Sequence, residues 1–229
     1  MQSFSGRVAL GGAALLAVAA SAAFPSVSHA DTFTLTSCHI SADSGSCGTA
    51  TSFGTVTLTQ NGVNVDFTVT LTGGNRFVET GAGASELFLF TDNVAGSSIT
   101  TIAAAPTPPA GGFTGVVGPV VHADGTGDFN ASVECAVASQ CNGGSAPTMT
   151  SLTFTVTNAT VADLEHGNAG NQGGNIFVAD ILCGPTSGCS GTGLVDVTVP
   201  GPIVGAGLPG LVMACVGLVG LARRRRKIA

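Results

Sequence analysis

The stretch that decides the fold is Thr55–Gly73, TVTLTQNGVNVDFTVTLTG. Its apolar residues fall at Val56 and Leu58, then at Val63, Val65, Phe67, Val69 and Leu71, with Thr, Asn64 or Asp66 between them. Successive side chains of a strand point to opposite faces, so this period of two puts Val, Leu and Phe on a core face and Thr, Asn64 and Asp66 towards water. Asn61-Gly62 lies between the two alternating runs, the strongest short-range signal for a hairpin.

Outward from the hairpin the texture repeats. Leu152, Phe154 and Val156 alternate in SLTFTVTN, and Val195, Val197 and Val199 make a last strand. Leu87 to Phe90 is a continuous apolar run that reads as a central strand, Ile176 to Ile181 forms another, and FTLTSCHI opens the set. Thr and Val favour pleated, half-buried surfaces, and helix formers are scarce. Seven to nine short strands separated by Gly-rich turns predict an all-β fold, a single β-sandwich with long Gly/Pro-rich loops, with a barrel as the alternative. Residues 103–120, AAAPTPPAGGFTGVVGPV, read as one such loop, and TVADLEHGN from Thr160 as a helix of at most two turns.

Of the seven cysteines Cys215 lies in the apolar stretch 203–222, and the other six fall as three close pairs, Cys38 and Cys47, Cys135 and Cys141, Cys183 and Cys189, each flanking a Gly/Ser-rich segment. An even number in an exported chain implies a disulfide framework. Six cysteines allow fifteen pairings, of which pairing between sequence neighbours would staple three loops. Their spacing does not suit a zinc or iron–sulfur site.

The two ends predict where the domain works. Arg7 precedes an uncharged apolar stretch from Val8 to Phe24, and SVSHA ends at Ala30 with Ser28 and Ala30 at the specificity positions. This order reads as a secretory signal peptide over residues 1–30. Residues 203–222 are uncharged and long enough to span a bilayer as a helix. Arg223, Arg224, Arg225, Arg226 and Lys227 follow in the tail 223–229, and such a cluster stays on the cytoplasmic side. Residues 31–202 are then the extracytoplasmic domain. All thirteen acidic residues of the chain lie there against one cation, Arg76, a formal charge of −12. That repels phosphate backbones and argues against nucleic acid.

The ending PGPIVGAGLPGLVMACVGLVGLARRRRK, residues 200–227, resembles the sorting tail of bacterial PEP-CTERM exported proteins: a Pro-containing motif, a membrane span and an Arg-rich end. Pro200-Gly201-Pro202 stands where that family has Pro-Glu-Pro, and Pro209 interrupts the span. The resemblance implies processing by an exosortase-like enzyme and association with exopolysaccharide and biofilm matrix.

Candidate sites are few. Asp124-Gly-Thr-Gly-Asp128, followed by Asn130 and Glu134, gathers oxygen ligands that a hard cation such as calcium prefers. Arg76 is expected to pair with a carboxylate such as Glu79. His39, His122 and His166 lack paired-His spacing, and no G-x-S-x-G nucleophile motif is present. An enzyme is not expected. The expectation is a surface or matrix structural or adhesive protein, whose partners are the processing enzyme, the membrane, exopolysaccharide or copies of itself. The alternative is a calcium- or carbohydrate-binding sandwich working through residues 122–134, although the chain has no Trp or Tyr for a sugar-stacking platform.

Overall fold

The computed structural model describes residues 30–40, 45–80, 86–145, 147–168 and 174–198. Residues 1–29 of the expected signal peptide, Val199, Pro200, Pro202, the span 203–222 with Pro209, and the basic tail lie outside the described residues, while Ala30, its expected last residue, opens the first strand. No helix among the described residues is long and apolar enough to cross a membrane.

Among the described residues twelve strands, numbered in chain order, form two sheets. One sheet contains β1 (Ala30–Leu35), β3 (Gly54–Asn61), β4 (Asn64–Leu71), β7 (Ile99–Ala105) and β10 (Ser151–Val156), in the order β1-β3-β4-β10-β7. The second contains β2 (Ser37–Cys38), β5 (Arg76–Phe77), β6 (Glu86–Phe90), β8 (Phe113–Ala123), β9 (Gly127–Cys135), β11 (Asn175–Leu182) and β12 (Thr192–Thr198). Its order is β2-β12-β11-β6-β9-β8, with β5 beside β11. All strand pairs are antiparallel. A helix of one turn, α1 (Val161–Leu164), starts at a capping box in which Thr160 and Asp163 satisfy each other's backbone N–H groups.

The β3–β4 hairpin forms with Val56 opposite Val69 and Leu58 opposite Phe67, all buried. Its two turn residues are Gly62 (φ +62°) and Val63, between the paired Asn61 and Asn64. Gly at the first central position is what a type II′ turn requires. Val63 is therefore 71% exposed at the tip, not on the core face that the alternation suggested. On the outer side Thr57 lies between Thr32 and Thr68, and Thr68 faces Thr153, so the Thr set lines up in rows across the sheet.

The core is built on phenylalanine. Phe67 and Phe154 stack at 4.5 Å on one sheet, and Phe67 meets Phe90 at 5.2 Å and Phe177 at 5.8 Å from the other. The first strand leaves one sheet after Leu35 and joins the other at Ser37, closing that side of the sandwich. Residues 103–120 are not one loop. They contain the end of β7, a connection, and most of β8. The run of Pro and Gly hides a strand because β8 is at a sheet edge, where Pro is tolerated, and because its register slips between Val117 and Val121. Gly118 (φ +117°) and Pro119 sit in that bulge.

The bulge bends the end of the β8–β9 hairpin, residues 121–129, back over the face of the second sheet that points away from the main core. One register row on that face runs Ser37, Asp196, Val178, Leu89, Ser132. Ala123 and Phe129 of the arm pack with Leu89, Val178 and Leu194 as a second small core. Both faces of this sheet are thus covered, which is why all five residues of β6 are buried and β11 is buried from Asn175 to Ile181.

The cysteines are joined as sequence neighbours: Cys38–Cys47, Cys135–Cys141 and Cys183–Cys189, with Cα separations of 6.0, 6.3 and 5.6 Å. All three gather at the end of the sandwich where β6 begins and β11 ends. Two of the stapled loops zip together, Ser46 and Ser190 exchanging backbone hydrogen bonds of 2.9 Å. Ala30 and Thr198, opposite Thr59 and Asn175, both lie towards the other end.

Candidate functional site

The glycines of Asp124-Gly-Thr-Gly-Asp128 serve docking of the arm. Gly125 (φ +77°) and Gly127 (φ +109°) make the turn. A Cβ at Gly125 would stand 3.2 Å from His39 Nδ1, so the backbone approaches the ring closely. Thr126 is fully buried, and its carbonyl accepts hydrogen bonds from the side-chain amides of Asn168 (2.6 Å) and Asn175 (2.7 Å). The two aspartates turn to His122. Asp128 Oδ1 lies 2.5 Å from Nδ1, and Asp124 Oδ1 lies 3.9 Å from Nε2. The hydrogen bond to Asp128, then its charge, raise the pKa of His122.

The four residues Asp124, Asp128, Asn130 and Glu134 do not surround one point. Asn130 is engaged with the backbone of Asp92, accepting from its N–H and donating to its carbonyl, both at 2.8 Å. Glu134 lies six residues along β9 from Asp128, about 20 Å at ~3.3 Å per residue. It accepts from Ser132 and faces Glu86 across the sheet.

What the structure brings together around Asp128 and Asn130 is a cleft. One recess of about 210 Å³ is lined by Thr91, Asn93, Val120, Asp128, Phe129 and Asn130. A shallower trough of about 500 Å³ adjoins it, sharing Asn93 and Asn130 and running along the loop 92–97 to the bulge at Gly118. The loop is fixed by an Asx turn, Val94 N–H donating to Asp92 Oδ1 (2.9 Å), and by Asn158 donating to the Gly96 carbonyl.

A second cluster lies at the stapled end. Glu79 and Glu86 are 5% and 6% exposed. Glu79 Oε1 accepts from the Cys135 N–H (2.8 Å), so it does not pair with Arg76 as expected. No ion pair joins Arg76 to a carboxylate among the described residues. Burial pushes the Glu79 pKa up to about 7, the Cys135 N–H pulling it down and the Glu134 charge adding to the rise. Burial, then the charge of Glu134, push Glu86 up to about 7 as well. Like charges opposite one another in a sheet repel, which a proton relieves. Glu79 also approaches the sulfurs of Cys135 and Cys141 within 4.8 Å, but sulfurs joined in a disulfide offer no thiolate to a metal.

These two glutamates set a pH dependence. Their folded-state pKa values exceed the ordinary 4.5, so the folded protein holds protons that the unfolded chain releases. Their stabilising contribution is complete below pH 4.5 and is lost as pH rises through about 7. The melting temperature is therefore expected to fall between pH 5 and pH 8. Glu79→Gln, which keeps the acceptor for Cys135, should flatten that slope. A wild-type melting temperature that rises over this interval would contradict the assignment.

On the covered face, Asp196 is fully buried with His39 Nε2 at 2.7 Å from its Oδ2. Ser37 Oγ approaches the same nitrogen at 3.3 Å. A nucleophile relay needs hydroxyl and carboxylate on opposite ring nitrogens, so this trio is a packing arrangement beneath the arm.

Comparison with known proteins adds no relative: no protein-family model, no curated protein and no solved structure matches this chain. Sequence reading missed Thr91, Asp92 and Asn93 as cleft residues and Glu86 as the partner of Glu134. The Asp-Asn pair in TDNVAGSS, directly after a buried strand, was the available signal for the loop. The Glu86–Glu134 register had none, because it depends on which strands become neighbours.

Proposed function

We propose that the sandwich is an exported structural or adhesive module that works at the cell surface or in the extracellular matrix. A signal peptide over residues 1–30 delivers it, and the tail 203–229 sorts it through an exosortase-like enzyme. The observation that carries this reading is the disulfide framework: six cysteines paired as sequence neighbours at one end of the fold. Such bonds persist in oxidising compartments and are rare in the cytosol. Ala30 and Thr198 lie towards the opposite end, which suits a module tethered at one end with its stapled end outward. The acidic surface, with one cation among residues 31–202, fits a soluble exported domain and disfavours nucleic acid.

Intact mass of the protein from its native host, with cell fractionation, tests the reading. The expected mass starts at Asp31, stops near residues 200–210, and is lower by the six hydrogens that three disulfides release. The expected fraction is the cell surface or the medium. A mass for residues 31–229 in the inner membrane would replace sorting by a plain single-span anchor. Free thiols on a cytoplasmic chain would overturn export itself.

A further inference from the structure

We propose that the cleft between the loop 91–97 and β8 is a binding groove for a neutral glycan chain. One sugar ring would sit in the recess at Asn93 and Asp128, and its neighbour in the adjoining trough. The proposal gives the surface module a ligand, but it stands apart from export, since binding is read on purified protein.

The polar groups that face the cleft define the ligand. Asn130 is fixed by two hydrogen bonds to the Asp92 backbone, so it contributes a rigid floor with one amide N–H left over. Asn93 is exposed, with no hydrogen bond to another described residue, and Asp128 keeps one carboxylate oxygen beyond its bond to His122. Thr91 Oγ1 and Asp92 Oδ2 lie beneath the surface and present nothing to a ligand. The Asn93 amide, which donates and accepts, beside the Asp128 carboxylate, which accepts, asks for a ligand that both donates and accepts hydrogen bonds at closely spaced points, as vicinal hydroxyls do. Val120, 71% exposed, supplies an apolar wall for the C–H face of a ring.

Charge and size narrow the choice. Asp128 and the surplus of acid in the domain repel an anionic polymer. A calcium ion would need six to eight converging oxygens, but the Asn130 oxygen is turned to the Asp92 N–H and Glu134 lies about 20 Å along β9. A peptide adding to the β8 edge would meet the bulge at Gly118 and Pro119. The recess of about 210 Å³ is smaller than the ~300 Å³ at which pockets for drug-sized ligands begin, and suits a single ring. The trough continues past the shared Asn93 and Asn130, which suits a chain. Without Trp or Tyr to stack on the sugar, the affinity for a short oligosaccharide should be weak, with a Kd of about 1 mM.

The test is an NMR titration of the full chain in a sugar-free detergent with cellotetraose, with maltotetraose and with tetragalacturonate. At least one neutral tetramer is expected to shift the amides of Thr91, Asn93 and Asp128, while the anionic one leaves them in place. Asn93→Ala and Asp128→Asn should each weaken that binding about tenfold, and Val63→Thr at the distant hairpin tip should not change it. Three results would overturn the proposal: no response of these amides at about 20 mM of either neutral tetramer, equal binding of tetragalacturonate, or binding unaffected by the two cleft variants. Calcium chloride alone shifting the same amides, with no response to the sugars, would assign the cleft to a cation instead.

Discussion

Reduction of the three disulfides is expected to unfold the sandwich near room temperature. Each bond closes a short loop, with sequence separations of 9, 6 and 6. Loop-closure entropy at these lengths is worth about 2–3 kcal/mol per bond, or about 7 kcal/mol in all. Domains typically hold only about 5–15 kcal/mol in reserve, so the loss takes all of a small reserve and about half of the largest. Far-UV circular dichroism is the suitable probe, because the protein has no Trp or Tyr to report by fluorescence. The bonds should not act independently. The loops of Cys38–Cys47 and Cys183–Cys189 are zipped through Ser46 and Ser190, so removing both should differ from the sum of removing each. Removing Cys135–Cys141 should add to either. A reduced protein that keeps its strand signal and its melting temperature would refute this account.

Phe67→Ala should be the most damaging single truncation on the β3–β4 hairpin. Phe67 is 1% exposed and lies at the junction of the two sheets, touching the rings of Phe154, Phe88, Phe90 and Phe177. Removing the ring opens a cavity that four other rings, held by their own strands, can fill only partly. The expected loss is about 3–5 kcal/mol. Thr68→Ala, one residue on and pointing to the opposite face, should stay within about 0.5 kcal/mol. Denaturant midpoints of the two variants check this, with an unchanged slope showing that the same structure unfolds. Similar midpoints would mean that Phe67 is not at the centre of the core.

The strands whose partners are close in sequence were legible in advance. The β3–β4 hairpin follows from a period of two and an Asn-Gly, and the turn moved by one residue only because Gly62 suits the first position of a type II′ turn. The one-turn helix at Val161 and the central position of β6 were also legible. Among the cysteines, fifteen pairings were open to the sequence, and the structure forms the one between neighbours.

Reading stopped where long-range register took over. Nothing local in residues 103–120 says that Gly118 and Pro119 form a bulge within an edge strand, because the bulge exists only relative to β9. The arm over the second sheet then follows from that bend, and it turns Asp124-Gly-Thr-Gly-Asp128 from an apparent ion loop into a docked tip held by Asn168 and Asn175. The cleft likewise belongs to no single stretch, since its floor, loop and wall come from β9, residues 91–97 and β8. The sequence by itself determined the all-β class and the hairpin that carries Phe67 into the core, because those rest on side-chain alternation and on neighbours along the chain. Only the tertiary structure decided which carboxylates meet, which face is covered twice and where a cleft opens, because those depend on how strands far apart in sequence align.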